Sequence, residues 1–352
     1  MKNRIYKVIS LLSAIMLTFS SFSVSAAAQR GSVQISTRIG EVLFGKRTEE
    51  KTLLVGGGIF GAKIKQSYVS IVEAKSAPRL HAGDILISLG GVQIGSIEDV
   101  EAVLRESDGS VLEAVARRGD NTVTAELTPS QHSGKYKLGI KLKDTSTGIG
   151  TVTFIDRESG IFGGLGHGVC DTPSGELVGL SSGSMTGVLL GGIHRGEPGK
   201  PGELCGVLTG KTTGTIYQNS ECGIFGKIDE SELDLSSCEE LKIGKSDEVR
   251  TGAAEILATV KNGSPKRYSI EITELCGGDT PTKSFKLRVT DKTLIALSGG
   301  IVRGMSGSPI IQDGKLVGAV THVMVADPTE GYGIFIENML NAANNQSQQK
   351  AA

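Results

Sequence analysis

Residues 299–323 read GGIVRGMSGSPIIQDGKLVGAVTHV. Ser306 stands next to Gly307 and two places after Gly304, Ser308-Pro309 follows, and then an apolar run begins that repeats Gly-x-x-x-Gly. Two readings compete. Ser306 is either a nucleophile on a tight turn whose backbone N–H groups face a reacting oxygen, or part of an ordinary glycine-rich β-turn. A serine hydroxyl needs a neighbouring imidazole to take its proton, and the tetrahedral oxyanion needs preorganised donors. The amides of Gly304 and Ser306 could supply those donors, because glycine permits the unusual backbone angles. Alone, G-x-S-G is a weak motif.

The second segment that matters is GIFGGLGHGVCD at 160–171, where His167 lies between Gly166 and Gly168. A lone histidine is usually structural. One in a glycine-rich turn, in a chain that also carries GMSGSP, suits a general base. Spacing does not choose the acid, since Asp156 and Asp171 lie nearer the histidine than Asp291 does. Asp291 falls in SFKLRVTDKTLIAL, which reads as a strand, where a buried carboxylate requires a partner. His322, on the strand GKLVGAVTHV, is either a substrate-contacting or site-orienting group or a packed structural histidine. Cys170 reads as a buried small apolar residue.

Composition agrees with many short strands. The chain has 352 residues, 49 of them glycine, no Trp and 4% aromatic residues. The usual glycine share is about 7%. With 37 basic and 38 acidic residues the formal charge is −1, so nothing points to nucleic acid. No His-x-x-x-His and no cysteine pair at zinc spacing occurs, so neither a metal nor another cofactor is expected. The five cysteines leave at least one thiol over from any pairing.

Along the chain, Lys2, Arg4 and Lys7 precede an apolar run and then Ser25 to Ala28, the order of a secretory signal at 1–26 or of an uncleaved anchor. Either way the remainder is expected across a membrane, attached to it only through an uncleaved signal. Residues 27–50 read as a linker. Residues 51–130 form a small α+β unit. In it Ser96 is a candidate N-cap with Asp99 three residues on, and Gly119-Asp120-Asn121 marks a hairpin. Residues 134–341 are nearly all short strands and glycine turns, a sandwich or barrel. The polar tail 342–352 is expected to be disordered. Gly-Ile-Phe-Gly occurs at 58–61, 160–163 and 223–226 with no longer repeat around it, and the recurrence is ascribed to chance in a glycine-rich chain.

The unit in SAPRLHAGDILISLGGVQI resembles the PDZ modules of secreted proteases. That resemblance places Gly58, Ile59, Phe60 and Gly61 where a carboxylate-binding loop would accept a peptide C-terminus, against the alternative of a structural turn. Together, GIGTVTFIDRESGIFGGLGHGVCD and VTDKTLIALSGGIVRGMSGSPIIQDGKLVGAVTHVMVADPTEGYGIFIENML resemble the SpoIVB family of sporulation serine peptidases, and the likeness runs from the signal to Leu340. The resemblance implies a mainly β chain, a PDZ-like domain followed by a chymotrypsin-like double barrel. It implies His167, Asp291 and Ser306 as the triad, in the order His…Asp…Ser. It further implies export into the space between the two forespore membranes, self-cleavage, and cleavage of a membrane-bound regulator that releases late sigma-factor processing. The rival from another class is a PDZ-type peptide-binding protein with a non-catalytic β domain.

Overall fold

The computed structural model describes residues 51–349 apart from 172–174, 262 and 278–279. The signal and linker expected at 1–50 lie outside the described residues. The chain is mainly β, and its strand pairings close two barrels.

The first stretch of chain holds β1 (Thr52–Val55) and the long β2 (Ile59–Glu73). An inserted unit follows, with β3 (Ile85–Leu89), β4 (Val92–Gln93), helix α1 (Ile97–Glu106), β5 (Leu112–Arg118) and β6 (Asn121–Leu127). A small hairpin, β7 (Ser130–His132) and β8 (Lys135–Lys137), leads into β9 (Lys141–Ile155). Then come β10 (Ile161–Gly164), β11 (Leu180–His194), β12 (Glu203–Ser220) and β13 (Gly223–Ile228). Strands β2, β9, β10, β13, β12 and β11 pair in a closed antiparallel ring, the first barrel.

After β14 (Glu240–Ile243) the chain enters β15 (Gly252–Ala258), β16 (Lys266–Leu275), β17 (Phe285–Val289), helix α2 (Lys292–Ser298), β18 (Pro309–Gln312), β19 (Lys315–Val323) and β20 (Glu330–Phe335). Strands β15, β16, β17, β20, β19 and β18 close a second antiparallel ring. Closure removes edge strands, the recurrent liability of β proteins. Strand β1 pairs with β9 and with β14, and β14 runs parallel to β19, so one seam stitches the barrels together. Helix α3 (Ile336–Gln349) packs Ile336, Met339 and Ala343 on that seam, against Phe154, Phe225 and Leu316. The tail expected to be disordered is therefore helical through Gln349, because its first turns carry an apolar stripe at helical spacing.

The PDZ-like unit does not precede the barrels; it is set into the first one. Ile59 to Lys65 of β2 pair with Thr145 to Thr151 of β9, and only Ser70 to Glu73 continue into the inserted unit, against Lys141 to Lys143. The first barrel's core also draws on chain that precedes the insert, since Leu54, Phe60, Ala62 and Ile64 are buried in it. Inside the insert, Ser96 accepts from the Asp99 amide in a capping box, and Val100, Val103 and Leu104 are buried. The hairpin at 119–121 joins β5 to β6 in register.

The three Gly-Ile-Phe-Gly stretches play similar parts in the fold. They lie on β2, β10 and β13 of one barrel, and Phe162 and Gly163 face Gly226 and Phe225 directly. Phe60 packs edge-on to Phe162, with ring centroids 5.8 Å apart. Each phenylalanine fills the core, and each following glycine lets a neighbour approach. A Cβ at Gly226 would lie 2.0 Å from the Thr215 carbonyl oxygen and 2.6 Å from the Phe162 ring. Gly226→Ala is therefore expected to destabilise the protein by at least about 1–3 kcal/mol, the usual cost of overpacking a core. Gly148→Ala, where a Cβ meets nothing within 4 Å, should be close to neutral. Urea titration of both variants checks the contrast.

Candidate active site

The loop after β10 carries His167, and sequence chemistry shapes that loop. Leu165 and Gly166 both take positive φ, 67° and 68°. Such angles strain a leucine and suit glycine. The sharp turn drives Gly166 against β19, where a Cβ would already lie 3.0 Å from Thr321 Cγ2 and 3.1 Å from Ile334 Cγ2. His167 emerges between the barrels. Its Nδ1 lies 2.9 Å from the Gly168 carbonyl oxygen. A carbonyl only accepts, so Nδ1 carries the proton and Nε2 keeps its lone pair. Burial pushes the imidazole pKa below its usual 6.5, with the Gly168 bond opposing.

Ser306 comes from the second barrel, on the turn between α2 and β18. Gly304 (φ 98°) and Gly307 (φ 93°) bracket it, Met305 is fully buried, and the Ser308 amide donates to the Met305 carbonyl at 2.9 Å. Gly307 is indispensable: a Cβ there would lie 2.1 Å from the Thr151 carbonyl oxygen and 2.5 Å from the Leu165 nitrogen. The turn is held from the other barrel. Thr151 Oγ1 donates to the Gly304 carbonyl at 2.8 Å, Thr153 Oγ1 to the Gly307 carbonyl at 2.8 Å, and the Thr151 amide to the Ser306 carbonyl at 2.9 Å. Among the described residues neither the Gly304 nor the Ser306 amide donates to a backbone carbonyl. Both residues line a cavity of about 350 Å³ together with His167, Gly168, Leu165, Ile149 and Arg303. The Ser306 hydroxyl donates to the Thr321 carbonyl at 2.9 Å, so in this state it is turned from the imidazole.

His322, next along β19, lies beside His167 with ring centroids 5.2 Å apart and an interplanar angle of 36°. Its Nδ1 is buried without a hydrogen-bond partner. Burial, with the His167 and Lys283 charges adding, lowers its pKa from 6.5 to about 4.

Asp291 does not join this group. It is the N-cap of α2, its carboxylate accepting from the Leu294 amide at 2.9 Å, and no described hydrogen bond links it to His167. The segment read as one strand is a strand and then a helix. Asp291 starts the helix and the Gly299 of left-handed φ stops it, a capping pattern that outweighs the β-branched composition. Asp171 is 2% exposed and pairs with Lys143 at 2.6 Å. Asp156 caps the turn before β10, accepting from the Glu158 amide. Gly58 to Gly61 form no carboxylate-binding loop. Ile59, Phe60 and Gly61 are ladder residues of β2, with Phe60 in the barrel core. Cys170, expected to be buried, is exposed. Thr151, Thr153 and the Gly168 carbonyl carried no sequence signal, since a strand threonine looks the same whether it braces a catalytic turn or faces water.

Residues 134–340 match the family described as SpoIVB peptidase S55. No curated protein matches the chain. Among solved structures, the PDZ domain of the SdrC-like protein from Listeria monocytogenes is 22% identical over 22% of this chain and 90% of that one, with a TM-score of 0.20. The active form of the Rv3671c protease from M. tuberculosis is 13% identical over 56% of this chain and 72% of that one, TM-score 0.33. The HtrA-type protease AlgW with decapeptide is 10% identical over 83% of this chain and 64% of that one, TM-score 0.35. At such values the neighbours say nothing about what this chain acts on.

Two expectations follow. The native pKa of His322 lies near 4 and the unfolded value near 6.5, so between these the unfolded chain binds more protons. Stability should therefore fall as pH drops from 6.5 to 4, and His322→Gln should flatten that slope in denaturant titrations at several pH values. Asp291→Ala should cost about 1 kcal/mol through its lost cap, whereas Asp291→Asn keeps the cap and should retain both stability and peptidase activity. Loss of activity in a stable Asp291→Asn variant would assign the carboxylate charge to the site.

Proposed function

The chain belongs to the SpoIVB peptidase S55 family and is a serine endopeptidase acting on protein substrates, and from that premise we propose that Ser306 is its nucleophile and His167 its general base. The observation that carries this reading is that the two residues, brought from different barrels, line the same cavity beside two unpaired turn amides. The Ser306 hydroxyl rotates from the Thr321 carbonyl to His167 Nε2 and gives up its proton there as Oγ bonds to the peptide carbonyl carbon. The Gly304 and Ser306 amides receive the oxyanion. The imidazolium returns the proton to the leaving amine, and water repeats the cycle on the acyl-enzyme. The Gly168 carbonyl fixes the reactive tautomer, the task usually given to a carboxylate. No cofactor enters these steps.

The chain's place is the space between the two forespore membranes, reached by export through the basic-apolar segment at the N-terminus. There it cuts itself and then a membrane-bound regulator of late sigma-factor processing. The resemblance of the two quoted segments supports this placement and these targets. The PDZ-like insert makes a peptide-binding protein the alternative, and retention of both His167 and Ser306 favours the enzyme.

Wild-type protein and Ser306→Ala, incubated and followed by intact mass, test the reading. Wild type is expected to fragment while the variant stays whole, with kcat on an added protein substrate lower by about 10⁴-fold or more. If neither fragments nor cuts, the binding-module reading gains. Because burial keeps His167 neutral to lower pH than usual, the acid limb of kcat/KM should lie below 6.5.

A further inference from the structure

The sequence holds no zinc spacing, yet the β11–β12 hairpin assembles a set of donors that spacing cannot reveal. His194 faces Glu203 directly across the ladder, Ile193 faces Leu204, and Gly192 faces Cys205. Successive side chains alternate between faces of a strand. Leu204 is buried in the second barrel's core with Ile193 packed against it, so Glu203, Cys205 and His194 share the opposite, outward face. One donor atom from each, an imidazole nitrogen, a carboxylate oxygen and the thiol sulfur, lies within 4.8 Å of the other two. Opposite Cys205, Gly192 leaves open space, since a Cβ there would meet nothing within 4 Å.

We propose that His194, Glu203 and Cys205 bind a zinc ion on this face. Zinc accepts nitrogen, oxygen and thiolate donors in tetrahedral geometry, and three protein ligands leave its fourth position to water. Calcium and magnesium select oxygen ligands and would leave the thiol unused. Closing donors now up to 4.8 Å apart onto one ion needs side-chain rotation of exposed or half-buried groups. Binding deprotonates the thiol and releases its proton to solvent. The thiolate and carboxylate charges then cancel that of the ion.

The site adjoins the catalytic turn. Glu203 and Arg303 form an isolated parallel backbone β-bridge, in which the Leu204 amide donates to the Arg303 carbonyl at 2.9 Å and the Arg303 amide donates to the Gly202 carbonyl at 2.9 Å. Arg303 precedes Gly304 in the chain. A bound ion therefore braces, from the first barrel's hairpin, the backbone that leads into the Ser306 turn.

Cobalt(II) titration of the metal-free Ser306→Ala chain provides the test, because that background neither cuts itself nor depends on peptidase activity. We expect one equivalent of cobalt bound, with intense tetrahedral visible bands and a thiolate charge-transfer band, both lost on adding zinc. Cys205→Ser should abolish the charge-transfer band, and His194→Ala and Glu203→Gln should each weaken binding at least about tenfold. All three positions face outward, and unchanged circular dichroism verifies that each variant folds. A chain that gives no charge-transfer band overturns the proposal. So does a band that survives Cys205→Ser, which would place the metal on another cysteine.

Discussion

The Ser306 turn belongs to one barrel by sequence and to the other by hydrogen bonding. Thr151 and Thr153, on β9, give their hydroxyls to the carbonyls of Gly304 and Gly307, and the Thr151 amide binds the carbonyl of Ser306. Thr151, Thr153, Gly304 and Gly307 are buried and Ser306 is half-buried, and a buried carbonyl left without its donor would cost about 1–3 kcal/mol. With the carbonyls turned toward β9, the amides of Gly304 and Ser306 are left to the cavity. The orientation of these two amides is thus a consequence of how the second barrel docks on the first. Gly307 permits that docking, since any Cβ would strike the same strand.

The first barrel is built to allow such close approach. Its recurring glycine-aromatic stretches alternate a ring that fills the interior with a position that has no side chain, and the rings of Phe154 and Phe162 lie over Gly163 and Gly226. An abundance of glycine, which weakens strands on entropic grounds, is here offset by packing that larger residues would block. The PDZ-like insert is joined to the barrel through β2 and β9, whose pairing shifts register between Lys65 and Ser70. Half-buried Lys143 ties it to the His167 loop by pairing with buried Asp171. The edge of β2 in the insert is already paired with β9, so the unit offers no free edge there for strand addition by a peptide.

The site departs from a serine triad at its third member. Among the described residues no carboxylate hydrogen-bonds to His167, whose Nδ1 proton goes to the main chain, and a second histidine packs against its ring. That arrangement keeps the imidazole neutral and its tautomer fixed, with less charge stabilisation for the imidazolium than an aspartate provides.

Much of this was legible in residues near one another along the chain. Glycine turns and β-rich runs indicated the class of fold, Ser96 and Asp99 the start of α1, and GMSGSP with GLGHG the two turns that meet at one cavity. Such signals are local: a cap, a turn and a reactive side chain each need only a few neighbouring residues. Asp291 shows the limit, because a helix cap and a catalytic acid present the same residue type and only the fold shows which amide it meets. Likewise only the tertiary structure decided that β2 spans barrel and insert, that Thr151 and Thr153 brace the turn, and that His322 flanks His167. It alone gathered His194, Glu203 and Cys205. Each of those facts is a pairing across the ladder or between barrels, and strand register at long separation is settled by the packing of whole sheets, which no short stretch of sequence contains.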